Sequence, residues 1–216
     1  MQEQPPTPGN RPIPVVTVLL IANGLSYMLL LGAPYAAFQH FALWPLGTDI
    51  GYGMPVGMEP GQFAPWQLLT YAFLHGGLFH LFVNMFVLWM FGAPVERVWG
   101  SATFLGYYLF CVVGAGLVQV ALGYAGILPP APSVGASGGV FAILLAFGLK
   151  FPNQMVMLLI PPIPMKAKYF VVFVGILELV AGVYGTRQGV AHFAHLAGKV
   201  FGLLFVLMFR PYPRAR

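Results

Sequence analysis

Six apolar stretches, each long enough or nearly so to cross the hydrocarbon core of a bilayer, occupy most of this 216-residue chain. They fall at about 14–33, 78–95, 102–123, 136–150, 167–186 and 190–209. Inside a bilayer no water satisfies backbone N–H and C=O groups, so stretches of this kind fold as helices that bond internally. The expected fold is all-α, a polytopic membrane protein with a six-transmembrane-helix bundle at 14–209. Residues 1–13 are expected to form a disordered N-terminal tail and residues 210–216 a basic C-terminal tail.

Composition agrees with a membrane chain and excludes other classes. Hydrophobic residues make up 59% and charged residues 7%, too little charge to cover a water-soluble domain of this length. The formal charge of +5 is spread between the apolar runs with no basic patch, which argues against nucleic acid as a partner. A single cysteine, Cys111, excludes an internal disulfide and a cysteine-rich metal site, and its apolar setting reads as a small buried hydrophobe. Met1 to Pro14 is polar and rich in Pro and Gly, unlike a signal peptide.

Basic residues set the expected orientation. Arg11, Arg97, Lys150, Lys166, Lys168, Arg210, Arg214 and Arg216 fall in alternate inter-span segments, so eight of the ten lie on one side. Only Arg187 falls on the other side, and Lys199 lies within a span. Both termini are therefore expected to face the cytoplasm, consistent with an even number of spans. The fourth span is short and Gly-rich at its start, which suggests that it begins below the outer surface, in a protein-lined or wet pocket. The first loop, about 34–77, carries Phe38, Phe41, Leu43, Trp44, Trp66, Leu68 and Phe73, a composition expected of a compact element lying partly in the outer leaflet. Gly198 and Gly202 on span six, and Gly135, Gly138, Gly139 and Ala142 at the start of span four, predict a close contact between these two helices.

Spans two, four and six begin on the same, non-cytoplasmic side, and each carries polar residues near that start. Span two has His80 and Asn84 one turn apart, span four has Ser137, and span six has His192 and His195. All fall within about 10 Å of the boundary at 1.5 Å per residue. Polar groups at this depth are costly unless they pair or line a wet cavity. A Ser hydroxyl becomes a nucleophile when a base takes its proton, and imidazole has a suitable pKa. The oxyanion of the tetrahedral intermediate needs donors, which a backbone N–H at a Gly-rich helix start and Asn or His side chains supply. None of the five acids, Glu3, Asp49, Glu59, Glu96 and Glu178, is adjacent in sequence to either histidine, which favours a Ser–His dyad over a triad.

Each motif also has a plainer reading. Gly135-Ala136-Ser137-Gly138 alone is compatible with helix packing, and a single membrane His with a satisfied polar residue or an ion path. His192 and His195 have the spacing of metal ligands, but zinc wants a third ligand and no acidic or thiol partner is evident, so no metal is expected. His40 and His75 read as interfacial loop residues.

Taken together, these motifs resemble those of the rhomboid family of intramembrane serine proteases, from Pro65 to Phe209. Gly135-Ala136-Ser137-Gly138 is similar to the family's Gly-x-Ser-Gly nucleophile motif. Ala194-His195-Leu196-Ala197-Gly198, followed by Gly202, is similar to its sixth-span motif, and His80-Leu81-Phe82-Val83-Asn84 to its second-span His-x-x-x-Asn. The resemblance implies a six-span rhomboid-like bundle with Ser137 as nucleophile and His195, rather than His192, as base. It also implies an oxyanion hole of His80, Asn84 and the Ser137 N–H, with Gly135, Gly138, Gly198 and Gly202 as packing glycines. His192 is expected to line the entrance.

Two positions depart from the family's pattern. Trp66-Gln67 stands where the family often has Trp-Arg, so the first loop must be held in another way. Phe141 stands where a Tyr often packs near the catalytic His. In addition, Glu178 and Lys199 should lie at similar depths, about 15 Å from their shared turn, and are expected to pair across spans five and six.

The resemblance implies an intramembrane serine endopeptidase that cleaves transmembrane segments of other membrane proteins near their non-cytoplasmic ends. It needs no cofactor, its partners are those substrates and the lipid bilayer, and its expected location is the cell (inner) membrane of a prokaryote. The alternatives are an inactive rhomboid-like protein that binds membrane clients, and a transporter or channel using the polar cluster as a path. No clear internal repeat supports the transporter.

Overall fold

The computed structural model describes residues 12–47, 61–129, 131–157, 162–184 and 189–209. Residues 1–11 and 210–216 of the expected tails lie outside the described residues, as do Asp49, Glu59 and Arg187. The first span is α1 (Val15–Gly32), followed by α2 (Pro34–Phe41), which buries none of its residues. A short α3 (Gln67–Thr70) runs into a 3-10 turn at Tyr71–Phe73. Span two is composite: α4 (Leu78–Val87), a π turn at Leu88–Gly92 and α5 (Ala93–Trp99). Span three is α6 (Ser101–Tyr124), span four α7 (Ser137–Lys150), span five α8 (Ala167–Tyr184) and span six α9 (Gly189–Phe209). All six expected spans are present as helices, and the molecule is an all-α membrane bundle.

One small element was not expected. Between α7 and α8 the chain forms a hairpin of β1 (Met155–Met157) and β2 (Pro164–Lys166), with Met155 opposite Lys166. The π turn in span two also has a local cause. Pro94 has no N–H to donate and its ring crowds the carbonyl one turn earlier, so the helix widens just before it.

The helices bury one another unevenly. Phe104, Tyr107, Tyr108, Cys111 and Ala115 of α6 are fully buried, as are Ala142, Ile143 and Ala146 of α7, so these two helices form the centre. Large apolar side chains face outward on the peripheral helices, among them Phe79, Phe82, Trp89, Tyr169, Ile176 and Leu207. Surfaces of this kind suit lipid tails, not water.

Span one is fastened to the far end of span two by a carboxylate. Glu96, buried on α5, accepts from the Val15 and Val16 backbone N–H groups at 2.6 and 2.9 Å and from the Ser101 hydroxyl at 2.6 Å. It satisfies two of the four N–H groups that any helix start leaves open, from outside the helix.

The described parts of the first loop are anchored in the core. Leu43 and Trp44 are buried, and Leu43 exchanges both backbone hydrogen bonds with Ser133, each at 2.9 Å. Gln67, 1% exposed, does the work left open by the missing arginine. Its Oε1 accepts from the Trp44 and Ala64 N–H groups, both at 3.2 Å. Its Nε2 donates to the Gln62 carbonyl at 2.9 Å and the His40 carbonyl at 3.4 Å. An amide carries both donor and acceptor, so it ties four backbone groups that a guanidinium could not all satisfy.

Candidate active site

The start of α7 lies within the protein, as the short span implied. Fourteen residues at 1.5 Å each give a helix of about 21 Å, less than a bilayer core. The non-helical chain leading into it is satisfied by protein: Ser133 pairs with Leu43, and the Gly135 N–H donates to the Tyr71 carbonyl at 2.9 Å. Irregular backbone at membrane depth is tolerated under just these conditions.

Ser137 is the first residue of α7, with Ala136 preceding it. Its N–H is among the orphan donors of the helix start and points out of the N-terminal end. Gly135 turns the chain into the helix at φ +127°, a conformation that residues with a Cβ rarely adopt. A Cβ there would also meet the His80 ring, with Cε1 at 2.9 Å and Nε2 at 3.0 Å, and would lie 3.7 Å from Ser137 Oγ. The absent side chain therefore leaves the space in which His80 and the Ser137 hydroxyl approach. Gly135 thus makes the turn into α7 and also lies tightly against the His80 ring of α4.

The remaining three glycines pack as well. Gly198 of α9 abuts the Gly138 carbonyl of α7 so closely that a Cβ would collide with it. A Cβ on Gly138 would press on Ala115 of α6 and lie 3.7 Å from the Ala194 carbonyl. Gly202 faces Tyr107 and Ala142. Gly138, which follows Ser137, thus abuts Gly198, three residues beyond His195, with the two helices held at small-residue separation.

His80 lies on the first turn of α4, and its Nδ1 accepts from the Gly76 N–H at 3.4 Å. An accepting Nδ1 places the proton on Nε2, the atom that faces Gly135. Asn84, buried one turn below, donates from Nδ2 to the His80 carbonyl at 2.8 Å, leaving its second N–H for another acceptor. His75 is not at the interface as expected. It is 2% exposed, its ring centroid 5.0 Å from that of His80, and neither ring nitrogen makes a well-formed hydrogen bond among the described residues. Burial, and then neighbouring His80, push its imidazole down to about 4 from the usual 6.5.

The base region is where sequence reasoning missed a group. Glu178 of α8 accepts at Oε2 from His195 Nδ1 at 2.8 Å and from His192 Nδ1 at 2.6 Å. A carboxylate does reach the histidines, from a different helix, so the expectation that none was at hand is corrected. The signal available was the shared depth of Glu178 and Lys199, which pointed to the wrong partner. Lys199 is buried with no hydrogen-bond partner for Nζ among the described residues, 4.9 Å from the Phe141 ring centroid. Phe141 in turn stacks on His195. Glu178, His192 and His195 also place their ligand atoms within 4.8 Å of one another, so the third, acidic neighbour that the sequence lacked for a cation is present in space.

Residues 62–212 match the family model of the rhomboid domain. This chain belongs to the rhomboid family. A yeast rhomboid, Rhomboid protein 1, mitochondrial, of Saccharomyces cerevisiae, is 28% identical over 94% of the chain and 66% of its own length. The human Presenilin-associated rhomboid-like protein, mitochondrial, is 29% identical over 64% of the chain and 36% of its own length. Rhomboid protease GluP of Bacillus subtilis is 42% identical over 45% of the chain and 18% of its own length. The chain spans between about a fifth and two thirds of the length of these rhomboid relatives. The expected location in the cell membrane of a prokaryote, with cytoplasmic termini, is overturned by these matches. The rhomboids aligned over most of the chain are mitochondrial proteins, and charge placement along a bundle says nothing about which membrane holds it.

Proposed function

We propose that this rhomboid is an intramembrane serine endopeptidase that cleaves transmembrane segments of membrane proteins at the depth of Ser137. Ser137 Oγ attacks the scissile carbonyl as His195 Nε2 takes its proton. The His80 Nε2–H, an Asn84 amide N–H and the Ser137 backbone N–H receive the oxyanion. Collapse of the tetrahedral intermediate breaks the C–N bond, and His195 returns the proton to the leaving amine. Water then hydrolyses the acyl-enzyme by the same route.

The placing of Ser137 Oγ and His80 Nε2 on the same side of Gly135, 3.7 and 3.0 Å from where a Cβ would stand, beside the close approach of Gly198 on α9 to Gly138 on α7, carries this reading. A donor and a hydroxyl converge at a helix N-terminus, and the helix bearing the imidazole base is held against it. The substrate segment must unwind locally, because a helical carbonyl is already hydrogen-bonded. Segments with Gly or Pro near the cleavage point should therefore be cut fastest.

Incubating the purified protein in detergent or liposomes with a panel of single-span membrane substrates tests the proposal. Wild type should cleave, and Ser137→Ala and His195→Ala should not. Cleavage that persists in both variants would sink the mechanism.

A further inference from the structure

We propose that Glu178 is the positioning residue for the base, holding His195 from α8 in the tautomer whose Nε2 is free to accept the Ser137 proton. This inference rests on the reading of Ser137 and His195 as nucleophile and base. A neutral imidazole has one N–H, and whichever nitrogen donates leaves the other as acceptor. His195 Nδ1 lies 2.8 Å from Glu178 Oε2, and a carboxylate oxygen can only accept. The proton is thereby kept on Nδ1 and the lone pair on Nε2.

Two further contacts make this a held geometry. The Phe141 ring lies parallel to the imidazole, 4.1 Å away between centroids, and restricts its rotation. His192 Nδ1 donates to the same Oε2 at 2.6 Å, giving the carboxylate a second donor and fixing its position. The two imidazoles stand at 89° to one another. Of the two rings it is His195 that stacks on Phe141, one turn beyond Ser137 on α7, and His195 directly follows Ala194, whose carbonyl faces Gly138. Through the reaction Glu178 stays ionised. The proton passes from Ser137 Oγ to Nε2 as the C–O bond forms, and from Nε2 to the amine as the C–N bond breaks. The imidazolium formed between these steps is stabilised by the adjacent carboxylate.

The arrangement is a triad whose third member belongs to a separate membrane helix. Glu178 touches no substrate atom and acts only through His195.

Glu178→Gln, Glu178→Asp and wild type should be compared on a single-span substrate, with kcat and KM measured separately. The rate of Ser137 labelling by a fluorophosphonate and the thermal midpoint should be followed in parallel. Glu178→Gln presents an amide that can donate to Nδ1 and favour the wrong tautomer. It should lower kcat by between about tenfold and 10⁴-fold, the upper end being typical of a buried triad carboxylate turned to amide. KM should stay within about threefold, and labelling should slow in step with kcat. Glu178→Asp should recover at least part of both rates. Glu178→Gln that keeps kcat within twofold, or that loses kcat while labelling at the wild-type rate, would overturn the positioning role. So would a Glu178→Asp variant that folds at the wild-type midpoint yet is no faster than Glu178→Gln. Cleavage surviving in Ser137→Ala and His195→Ala would instead mark failure of the underlying reading, which the Glu178 variants alone do not decide.

Discussion

Phe141 and His195 lie face to face, with ring centroids 4.1 Å apart and planes 9° from parallel. Phe141 is one helical turn beyond Ser137, so the helix that presents the proposed nucleophile also presents the surface against which the proposed base rests. Stacked aromatic pairs contribute about 0.5–1.5 kcal/mol beyond area burial. Phe141→Leu should cost about 1 kcal/mol of stability and lower kcat by roughly tenfold through freer rotation of the imidazole. Phe141→Tyr, which keeps the ring, should retain most of the rate. The check is cleavage kinetics beside thermal unfolding. A Phe141→Leu protein with unchanged kcat would show that the stack does not restrain His195.

The Gln67 amide predicts an unusual response to the family's more frequent residue. Arginine has five donors and no acceptor, so Gln67→Arg would leave the Trp44 and Ala64 N–H groups facing a cation. Each buried donor left unsatisfied costs about 1–3 kcal/mol. Gln67→Arg and Gln67→Leu should both be destabilised by several kcal/mol in detergent unfolding, with Gln67→Glu, which keeps the acceptor, the mildest. An Arg variant as stable as wild type would mean that the loop has a second way to close.

Gly198→Ala should be among the most damaging single-methyl changes in the chain. Its added carbon would strike the Gly138 carbonyl, and backbone cannot yield as a flexible side chain does. Loss of cleavage with a lowered thermal midpoint is expected. Gly106→Ala on α6, where nothing lies within 4 Å of the added carbon, is the control and should be neutral or slightly stabilising by helix propensity.

His75 gives the fold a dependence on acid. Its folded-state value of about 4 lies below the usual 6.5, so the unfolded chain binds the proton first. Stability should be at its plateau above about pH 6.5, decline as pH falls towards about 4, and lose nothing further from this group below that. His75→Phe fills the same buried space without titrating. Its thermal midpoint should fall less than that of wild type between neutral pH and pH 5. Equal falls would assign the acid sensitivity to other groups.

Lys199 is an ammonium buried without a hydrogen-bond partner among the described residues. A methionine has nearly the same length and no charge to desolvate. Lys199→Met should be neutral to stabilising by about 1–2 kcal/mol, read from the unfolding midpoint. A marked loss of stability would reveal a partner for Nζ.

The spans were legible because hydrocarbon imposes length and apolarity on any helix that crosses it, and the depth of Ser137, His80 and His195 followed from counting residues along those helices. The contact of Gly138 with Gly198 was legible for a related reason, since small residues at regular spacing mark close backbone approach. Glu178 was not. Its depth could be counted, but which of several groups at that depth it meets depends on the rotation of α8 about its own axis, and an all-round apolar helix leaves that rotation unmarked in the sequence. Gln67 was hidden differently. Its four partners are backbone atoms, which look alike in every sequence. Gly135 looked like its neighbours Gly138 and Gly139, and only the positive φ marks it as a turn glycine.

The exchange of backbone hydrogen bonds between Leu43 and Ser133 has a consequence for the order of events during synthesis. Leu43 leaves the ribosome long before Ser133, with spans two and three between them, and contacts of such sequence separation close late. Until then the loop around Trp44 waits with those two backbone groups unanswered. Ser137 therefore takes its place after spans two and three and ahead of α9, whose Gly198 packs against Gly138, and a nascent chain stalled before span four carries His80 and Asn84 without either Ser137 or His195.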